Sequence, residues 1–366
     1  MKKSPTIIDI AKTFNISSST VSRALRNTKG VGSELRAKIL QESHKIGYSP
    51  NRIAKAFRNK ANHIIGVIVP TFEVPQIDEL VDSIQNTAEK LGHGILVGVS
   101  QWDTDRELKL LDFMVSMGVK GIIIKSKGDS EALERMHALA QQNIKIVSIL
   151  DEISFPQVSS VIVDNIQGGY MAGKHLLELG HINILYATYA STQIKNAHSW
   201  HFSNDRYIGM LKAYEQAGIK RPSGLAIYDD STIRQNKRRD TFLKALEQKL
   251  PFSAIFAYDD QLAIIAASIL KQHGYSIPND VSIIGFDDSL DIFKYCECPL
   301  TVIKQPNSMV GEQSVNLVID PAKKYEYQNS KTNLYTLPPT LIDRGSTCRP
   351  KTGQITSPRR SIQIEE

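Results

Sequence analysis

Cysteine and tryptophan are scarce in this chain of 366 residues, which contains three Cys and two Trp. Cys296, Cys298 and Cys348 do not have the spacing of a zinc site, and so few cysteines are typical of a reducing compartment. Long apolar runs are absent as well, since none reaches the ~18 residues that a membrane-spanning helix needs. These absences exclude a disulfide scaffold and a membrane protein, and they predict a cytoplasmic protein.

The motifs of common enzyme classes are also missing. The sequence has no phosphate-binding Gly-Lys-Ser/Thr loop and no Gly-x-Ser-x-Gly nucleophile elbow. His198, Trp200 and His201 form an aromatic cluster that can stack on a sugar or bind a metal, but a polar surface loop is the simpler interpretation. We therefore expect no enzymatic activity, no cofactor and no metal site.

Positive charge is concentrated at one end of the chain. Residues 1–60 contain 13 Lys and Arg against 3 Asp and Glu, which leaves 31 against 35 for residues 61–366. The net charge of +6 for the whole chain hides this division. A basic head on a mildly acidic body predicts a polyanionic partner that is bound through the N-terminal end alone.

Three short helices are predicted in the basic head. Thr6 and Asp9 form a capping-box pair at the start of the first helix, and Asn15 ends that helix. Ser17 can cap the second helix, and Ser33 begins a third helix that closes the core. Two short helices joined by so tight a turn indicate a helix-turn-helix, whose second helix can enter the major groove of DNA.

The outer face of the second helix displays Ser18, Ser19, Ser22 and Arg23. Short hydroxyl side chains allow the helix backbone to approach the base edges, and Arg23 can donate two hydrogen bonds to a guanine. The alternative is a serine-rich helix start with one solvated arginine. The basic stretch that continues to Lys60 favours DNA binding.

A short basic segment follows at residues 48–58. Pro50 suits a helix start, and Ile53, Ala54 and Phe57 share one face of a helix that is too short to be stable alone in water. We expect it to fold against DNA or against a twin copy, with Phe57 as a wedge between minor-groove base steps. The alternative is a linker whose Phe57 packs on its own domain.

Beyond residue 61, apolar strand-like runs alternate with helical stretches. The runs are 64–69, 95–97, 121–124, 144–147, 161–163, 182–186, 225–227, 254–257 and 281–284. Their order predicts two parallel, doubly wound sheets with helices on both faces, and hence an α/β body of two lobes. Ligands of such sheets bind in the crevice at the carboxyl ends of the strands.

Acidic residues follow several of these runs. The pairs at these strand ends are Asp151–Glu152, Asp164–Asn165, Asp229–Asp230, Asp259–Asp260 and Asp287–Asp288. Carboxylates that face a crevice can accept the hydroxyl hydrogen bonds of a sugar or another polyol. Asp260 instead suits a helix cap. A carboxylate pair can also hydrolyse a glycoside, but the DNA-binding head argues against that reaction.

Motifs in both halves resemble those of the lac repressor (LacI/GalR) family of transcription regulators, over almost the whole chain. In the head they are Asp9-Ile10-Ala11, Thr20-Val21-Ser22-Arg23 and Gly47-Tyr48-Ser49-Pro50-Asn51-Arg52-Ile53-Ala54. In the body they are residues 163–165 with Gly168, residues 175–181, Arg206 with Gly209, residues 257–263 and residues 284–288.

The resemblance implies that Ser18, Ser19 and Arg23 read bases and that Asn51 and Ala54 lie in a hinge helix. The residues that we expect to contact DNA are Ile7, Ser18, Ser19, Thr20, Ser22, Arg23, Asn27, Tyr48, Asn51, Arg52, Ala54 and Phe57. The resemblance also implies a small-molecule effector. The residues that we expect to contact it are Asp151, Arg206, Asp259 and Asp287. Asp259 stands where the family usually has Asn, and its negative charge disfavours a phosphorylated sugar.

The resemblance therefore implies an all-α helix-turn-helix domain at residues 1–49, a hinge helix and linker at 50–62, and a periplasmic-binding-protein-like effector and dimerisation domain at 63–345. We expect its first lobe at 63–163 and 291–321 and its second lobe at 164–290 and 322–345. A polar, disordered tail is expected at 346–366.

We accordingly expect a homodimeric repressor of a carbohydrate-utilisation operon, bound to palindromic operator DNA in the bacterial nucleoid and controlled by a sugar-like effector. Two alternatives remain at this point. One is a sugar-binding or sugar-processing protein with a basic appendage, and the other is a regulator that responds to a nucleobase or nucleoside. Deletion of residues 1–60 separates the first alternative from the repressor, since an enzyme would keep its turnover.

Overall fold

The computed structural model describes residues 5–25, 28, 30–48, 63–188, 201–222, 226–228, 243, 251–289, 299–320 and 333–351. The chain divides into two compact units, residues 1–62 and 63–366. Some predictions fall outside the described residues. They concern Asn27, the hinge residues Asn51, Arg52, Ala54 and Phe57, the acidic pair at 229–230, and the side chains of the cluster at 198–201.

The N-terminal unit contains helices α1 (Ile7–Thr13), α2 (Ser18–Leu25) and α3 (Ser33–Lys45). The Asp9 carboxylate accepts hydrogen bonds from the Thr6 backbone nitrogen at 2.8 Å and from the Thr6 hydroxyl at 2.7 Å. Asn15 has a φ of 51°, a left-handed conformation that Asn tolerates and that ends α1. Ser17 Oγ accepts a hydrogen bond from the Thr20 backbone nitrogen at 3.1 Å. The three predicted helix-boundary signals are confirmed.

Aliphatic side chains of all three helices meet in the core of this unit. Ile10, Val21, Ala24 and Ile39 are fully buried. Burial of one large aliphatic side chain stabilises a fold by ~1.5–3 kcal/mol, so a core this small depends on each of its isoleucines and valines. Because α2 buries Val21 and Ala24, its opposite face is left to solvent.

The second unit contains two sheets, each with six strands in the described part of the chain. Sheet 1 forms the first lobe in the order β11-β5-β4-β3-β1-β2, and all its pairs are parallel. Its strands are β1 (Ile64–Val69), β2 (Gly94–Val99), β3 (Gly121–Ile124), β4 (Lys145–Ile149), β5 (Val158–Val163) and β11 (Leu334–Leu337). The helices of this lobe are α4 (Pro75–Lys90), α5 (Thr104–Ser116), α6 (Ser130–Gln141) and α10 (Asn307–Ile319).

Sheet 2 forms the second lobe in the order β12-β10-β9-β8-β6-β7, and only the edge pair β10–β12 is antiparallel among the described strands. Its strands are β6 (Ile184–Thr188), β7 (Ala226–Tyr228), β8 (Ala254–Ala257), β9 (Ser282–Asp287), β10 (Thr301–Lys304) and β12 (Thr340–Ile342). The helices of this lobe are α7 (Asn165–Glu178), α8 (His201–Gln216) and α9 (Asp260–Gln272).

Both sheets carry apolar cores on their two faces. In the first lobe, α4 and α10 cover one face and α5 and α6 cover the other. In the second lobe, α9 covers one face, and α7 and α8 cover the other. Strands buried on both faces explain the continuous apolar runs in the sequence, and the predicted two-lobed, doubly wound architecture is confirmed. No helix in the described ranges has the length and apolarity needed to cross a bilayer.

The expected division of the last third of the chain between the lobes is wrong in two places. Strand β10 pairs with β9 in sheet 2, although residues 291–321 were expected in the first lobe. Strand β11 pairs with β5 in sheet 1, although residues 322–345 were expected in the second lobe. Strands of only four residues carry no local information about which sheet they extend, because pairing is decided by tertiary contacts. Helix α10 does lie on the first lobe, as expected.

The start of the predicted tail is also corrected. Ser346 is fully buried, donates to the Ile283 carbonyl and accepts from the Thr301 backbone nitrogen. The Cys348 backbone nitrogen donates to Ser282 Oγ at 3.0 Å. Residues 346–348 are therefore an ordered part of the second lobe, because their polar groups satisfy the backbone between β9 and β10.

Candidate DNA-reading face and effector site

The outer face of α2 presents the residues expected to read bases. Ser18, Ser19 and Arg23 are exposed, and Ser22 is half-buried. Val21 and Ala24, on the opposite side, are fixed in the core. The geometry thus separates a packing face from a polar face on one short helix, which is the arrangement that major-groove insertion requires.

Three other residues expected at DNA have contacts inside the N-terminal unit. The Thr20 hydroxyl lies 2.9 Å from Ser17 Oγ at the start of α2. Ile7 and Tyr48 are half-buried and pack against the core of the three helices. Contact of these three residues with DNA stays a prediction.

Arg206, on α8, is the centre of the candidate effector site in the second lobe. Its side chain is only 4% exposed. The guanidinium donates from Nε to Asn165 Oδ1 at 2.9 Å, from Nη1 to the Tyr258 carbonyl, and from Nη2 to Asp287 Oδ1 at 3.3 Å. Three acceptors on three separate segments of the chain hold the planar group in one orientation, so the guanidinium is preorganised.

Aromatic rings and close helix packing complete this arrangement. The guanidinium carbon lies 3.5 Å from the centre of the Phe286 ring and 4.4 Å from that of Tyr258, and such contacts favour a cation over a ring face. A Cβ atom at Gly169 of α7 would lie 1.9 Å from the Arg206 carbonyl oxygen, and one at Gly209 would lie 2.0 Å from Ile166 O. Only glycine permits this approach of α7 and α8, which sets the position of Arg206.

Asp287 ends β9 in an unusual backbone conformation. Its φ is 99°, and the next residue, Asp288, has a φ of 59°. A non-glycine residue held in this region costs ~1–3 kcal/mol, which the surrounding contacts must offset. Asp287 faces Arg206 and also accepts a hydrogen bond from Gln305 Nε2. Asp288 instead pairs with Arg344 at 2.7 Å. The turn therefore sends two adjacent carboxylates to different partners.

The first lobe contributes a second charged pair. Asp151 follows β4 and accepts a hydrogen bond from the buried ammonium of Lys125, which follows β3. Behind this pair, the fully buried Glu107 accepts from the Lys127 backbone nitrogen at 3.0 Å and from the Ser126 hydroxyl. Burial raises the pKa of Glu107 despite these hydrogen bonds. The glutamate fixes the loop that positions Lys125.

The four residues expected to bind the effector act together on Tyr258. Burial raises the pKa of the Tyr258 hydroxyl to about 12; Arg206 opposes this rise, and the carboxylates of Asp287, Asp259 and Asp151 add to it. These charges come from both lobes, and among them the side chains of Arg206 and Asp287 are in direct contact.

The helix cap expected at Asp260 is provided instead by the neighbouring Asp259. Asp259, expected at the effector, is the N-cap of α9 and accepts from the Leu262 backbone nitrogen at 2.7 Å. Asp260, expected to cap the helix, is 1% exposed, and its Oδ2 accepts from the Ser289 backbone nitrogen at 2.9 Å. The cap falls on the residue with extended backbone, which here is Asp259 with a φ of −141°.

Several site residues were missed from the sequence. They are Lys125, Asn165, Tyr258, Phe286 and Gln305. Asn165 belongs to a strand-end pair that was quoted, although only the carboxylates of such pairs were considered. Tyr258 and Phe286 each precede a quoted acidic pair by one residue, so extending the rule by one residue would have included them. Lys125 was missed because only acidic strand ends were considered, and Gln305 because β10 was not predicted.

Comparisons with known proteins agree with both halves of this description. Residues 6–51 match a family model described as bacterial regulatory proteins, lacI family, and residues 173–347 match a periplasmic binding protein-like domain. The HTH-type transcriptional regulator DegA of Bacillus subtilis is 30% identical to this chain over 345 residues, which are 93% of this chain and 98% of DegA.

Two solved structures extend the comparison. The lac repressor dimer bound to operator and the anti-inducer ONPF superposes with a TM-score of 0.76 at 23% identity, covering 94% of this chain and 100% of the other, which shows a common fold. A LacI family transcriptional regulator from Enterococcus faecium with bound ribose has a TM-score of 0.64 at 27% identity, covering 79% of this chain and 100% of the other.

Proposed function

Because this chain belongs to the lacI family of bacterial regulatory proteins, whose members are DNA-binding transcription regulators rather than enzymes, we propose that it represses a carbohydrate-utilisation operon. It acts as a homodimer on palindromic operator DNA in the cytoplasm, and a neutral sugar controls it. The proposal rests on one observation: a buried ion pair, Arg206–Asp287, lies in a domain that follows a basic N-terminal segment, residues 1–60.

The DNA-binding half of the proposal rests on α2. Ser18, Ser19 and Arg23 read base edges, since they are exposed on a helix whose other face is buried. The remaining contacts are proposed for Ile7, Thr20, Ser22, Asn27, Tyr48, Asn51, Arg52, Ala54 and Phe57. The surplus of Lys and Arg in residues 1–60 supplies the phosphate contacts that dominate affinity.

The effector half rests on the charge balance of the site. Arg206 is paired with Asp287, and Lys125 is paired with Asp151. A phosphorylated ligand needs a cation that is not already neutralised, whereas sugar hydroxyls both donate and accept and so suit carboxylate and amide partners. This combination favours a neutral sugar, and the ribose found in the Enterococcus faecium regulator is of that class.

The proposed domain division follows the topology. Residues 1–49 read DNA, residues 50–62 connect, and the rest of the chain as far as residue 351 forms the effector and dimerisation body. Strands β10 and β11 are exchanged between the lobes relative to the sequence-based division.

The effector class can be tested by thermal denaturation of the full chain. The probes are D-ribose and other neutral monosaccharides and disaccharides, ribose 5-phosphate, and the bases adenine and guanine. We expect a neutral sugar to raise the Tm, because a ligand at 100 times its Kd stabilises the folded state by ~2.7 kcal/mol. A shift with ribose 5-phosphate or a base alone would contradict the neutral-sugar proposal.

The regulatory function is tested by selecting palindromic sites from random duplex DNA with the full chain. Deletion of residues 1–62 should abolish recovery of these sites and leave the sugar-induced rise in Tm intact. A truncated chain that still binds the selected sites, or one that turns over a glycoside, would contradict the proposal.

A further inference from the structure

Strand β10 leads from the effector pair of the second lobe directly into a helix of the first lobe. Gln305, the residue after β10, is 3% exposed. Its backbone nitrogen donates to the Asp287 carbonyl at 3.1 Å, and its side-chain Nε2 donates to Asp287 Oδ1. Gln305 is therefore tied to Asp287 through both main chain and side chain.

Two residues further on, the chain is tied to the other lobe. Asn307, the first residue of α10, is fully buried. Its Nδ2 donates to Glu79 Oε2 at 2.8 Å, and its Oδ1 accepts from Gln76 Nε2 at 3.4 Å. Both partners lie on α4. The Ser308 carbonyl accepts from Ser83 Oγ at 2.7 Å, which adds a third bond to the same helix.

Helices α10 and α4 are also in contact at backbone distance. A Cβ atom at Gly311 would lie 2.6 Å from Ser83 Oγ and 3.0 Å from the Ile84 backbone nitrogen. Packing this close, combined with the three hydrogen bonds, leaves the start of α10 little freedom to move without α4. A displacement of Gln305 is thus passed on to α4 within three residues of chain.

In the second lobe, both lone pairs of Asp287 Oδ1 are occupied by donors. Asp287 Oδ1 accepts from both Arg206 Nη2 and Gln305 Nε2, and a carboxylate oxygen offers two lone pairs. A ligand hydroxyl that donates to this oxygen must displace one of the two donors. The Arg206 guanidinium is also held by Asn165 and by the Tyr258 carbonyl. The side-chain amide of Gln305 is therefore the donor that a ligand hydroxyl displaces more easily.

We propose that the crossover segment Gln305–Ser308 couples the Arg206–Asp287 pair to helix α4 of the first lobe. The inference rests on the proposed function in taking this pair as the effector site. Gln305 and Asn307 are positioning residues: a change at Asp287 is transmitted through them and alters the setting of α4. Such a discrete chain of bonds supplies the differential contacts that allosteric control needs.

The test is amide hydrogen exchange across α4 in three full-length proteins: the unaltered chain, Asp287→Ala and Asp288→Ala. The second variant is the matched control, since Asp288 is the adjacent acid at the same strand end but pairs with Arg344 and Lys304. We expect Asp287→Ala to accelerate exchange within residues 76–84 by about fivefold or more, the lower end of the range for coupled sites, and Asp288→Ala to leave it unchanged. Equal effects, or none on α4, would overturn the proposal.

If Asp287→Ala does not fold, the coupling can be tested from the first lobe, by a substitution on α4 with exchange measured at Gln305. Coupling is reciprocal, so Glu79→Ala should accelerate exchange of the Gln305 amide, which is bonded to the Asp287 carbonyl. Glu89→Ala, an exposed glutamate on the same helix, is its control and should have no effect. No change at Gln305 in Glu79→Ala would reject the coupling. Neither arm uses sugar or operator DNA, so this result and the test of the proposed function can fail separately.

Discussion

Arg206 Nη2 lies 3.3 Å from Asp287 Oδ1, and the two residues are only 4% and 8% exposed. A buried ion pair gains little stability over an apolar pair of the same size, but removing one partner leaves an uncompensated charge. The pair is thus better explained by what it presents to a ligand than by what it adds to the fold. It also makes the site sensitive to single substitutions.

Asp287→Ala should lower the free energy of unfolding by about 3 kcal/mol, since the guanidinium of Arg206 stays buried without its carboxylate. Asp287→Asn should cost clearly less, because the amide oxygen can still accept from Arg206 and Gln305. Urea denaturation of the three proteins measures the difference. Equal losses in both variants would argue that the hydrogen bonds to this residue contribute nothing.

Asp259→Ala should destabilise the protein by about 1 kcal/mol through loss of the α9 cap, whereas Asp259→Asn should be nearly neutral, because Asn is an equally good N-cap. Thermal denaturation of both variants decides between the cap and a role confined to the effector. If Asn were as damaging as Ala, the negative charge rather than the cap would be the important property.

Asp260→Asn should change how stability depends on pH. Burial raises the pKa of Asp260 well above its usual value near 3.8, and the nearby Asp287 carboxylate adds to the rise. A carboxyl whose folded-state pKa is raised contributes stability that is fully present below its unfolded pKa and is lost as pH rises through the folded pKa. As pH increases, the free energy of unfolding of Asp260→Asn should therefore rise relative to that of the parent. The rise is up to about 1.4 kcal/mol per pH unit between the unfolded and the folded pKa of Asp260.

The comparison is made by urea denaturation from pH 4 upward, with the exposed Asp105→Asn as control. The control should keep the pH profile of the parent. A constant difference between Asp260→Asn and the parent over the whole range would show that the pKa of Asp260 is the same in the folded and the unfolded state.

Arg23→Ala should weaken binding to a selected operator by ~1–3 kcal/mol, the value of a bidentate base contact. Binding to unrelated duplex DNA should fall much less, since one phosphate neighbour is lost at most. Lys38→Ala, which removes an exposed cation of α3 paired with Glu34, should affect both DNAs alike. Titrations at fixed salt concentration provide the measurement, and equal losses of Arg23→Ala on both DNAs would exclude base reading.

Much of the fold could be predicted because its signals are local. The Thr6–Asp9 cap and the Asn15 break act within four residues, and the apolar strand runs reflect burial on both sheet faces, so each appeared where expected. The family resemblance, carried by short motifs, is confirmed by the likeness to DegA. Three of the four predicted effector residues, Asp151, Asp259 and Asp287, follow or end strands, and parallel strands bring such ends to one edge of their sheet.

Other features depended on contacts between distant residues. Strands β10 and β11 are too short to indicate their sheet, and the choice between Asp259 and Asp260 as cap follows from backbone angles that no residue pattern reveals. Lys125 became a site residue only because β3 and β4 are neighbours, which places it beside Asp151.

By itself, the sequence determined that a basic three-helix head precedes an α/β body of two parallel sheets, because charge, capping and apolar periodicity act over a few residues. The tertiary structure alone decided which carboxylate meets which cation, and that Asp287 is joined to the other lobe through Gln305 and Asn307. Those relationships arise from strand order and from the approach of helices at glycines, and both are properties of the packed chain.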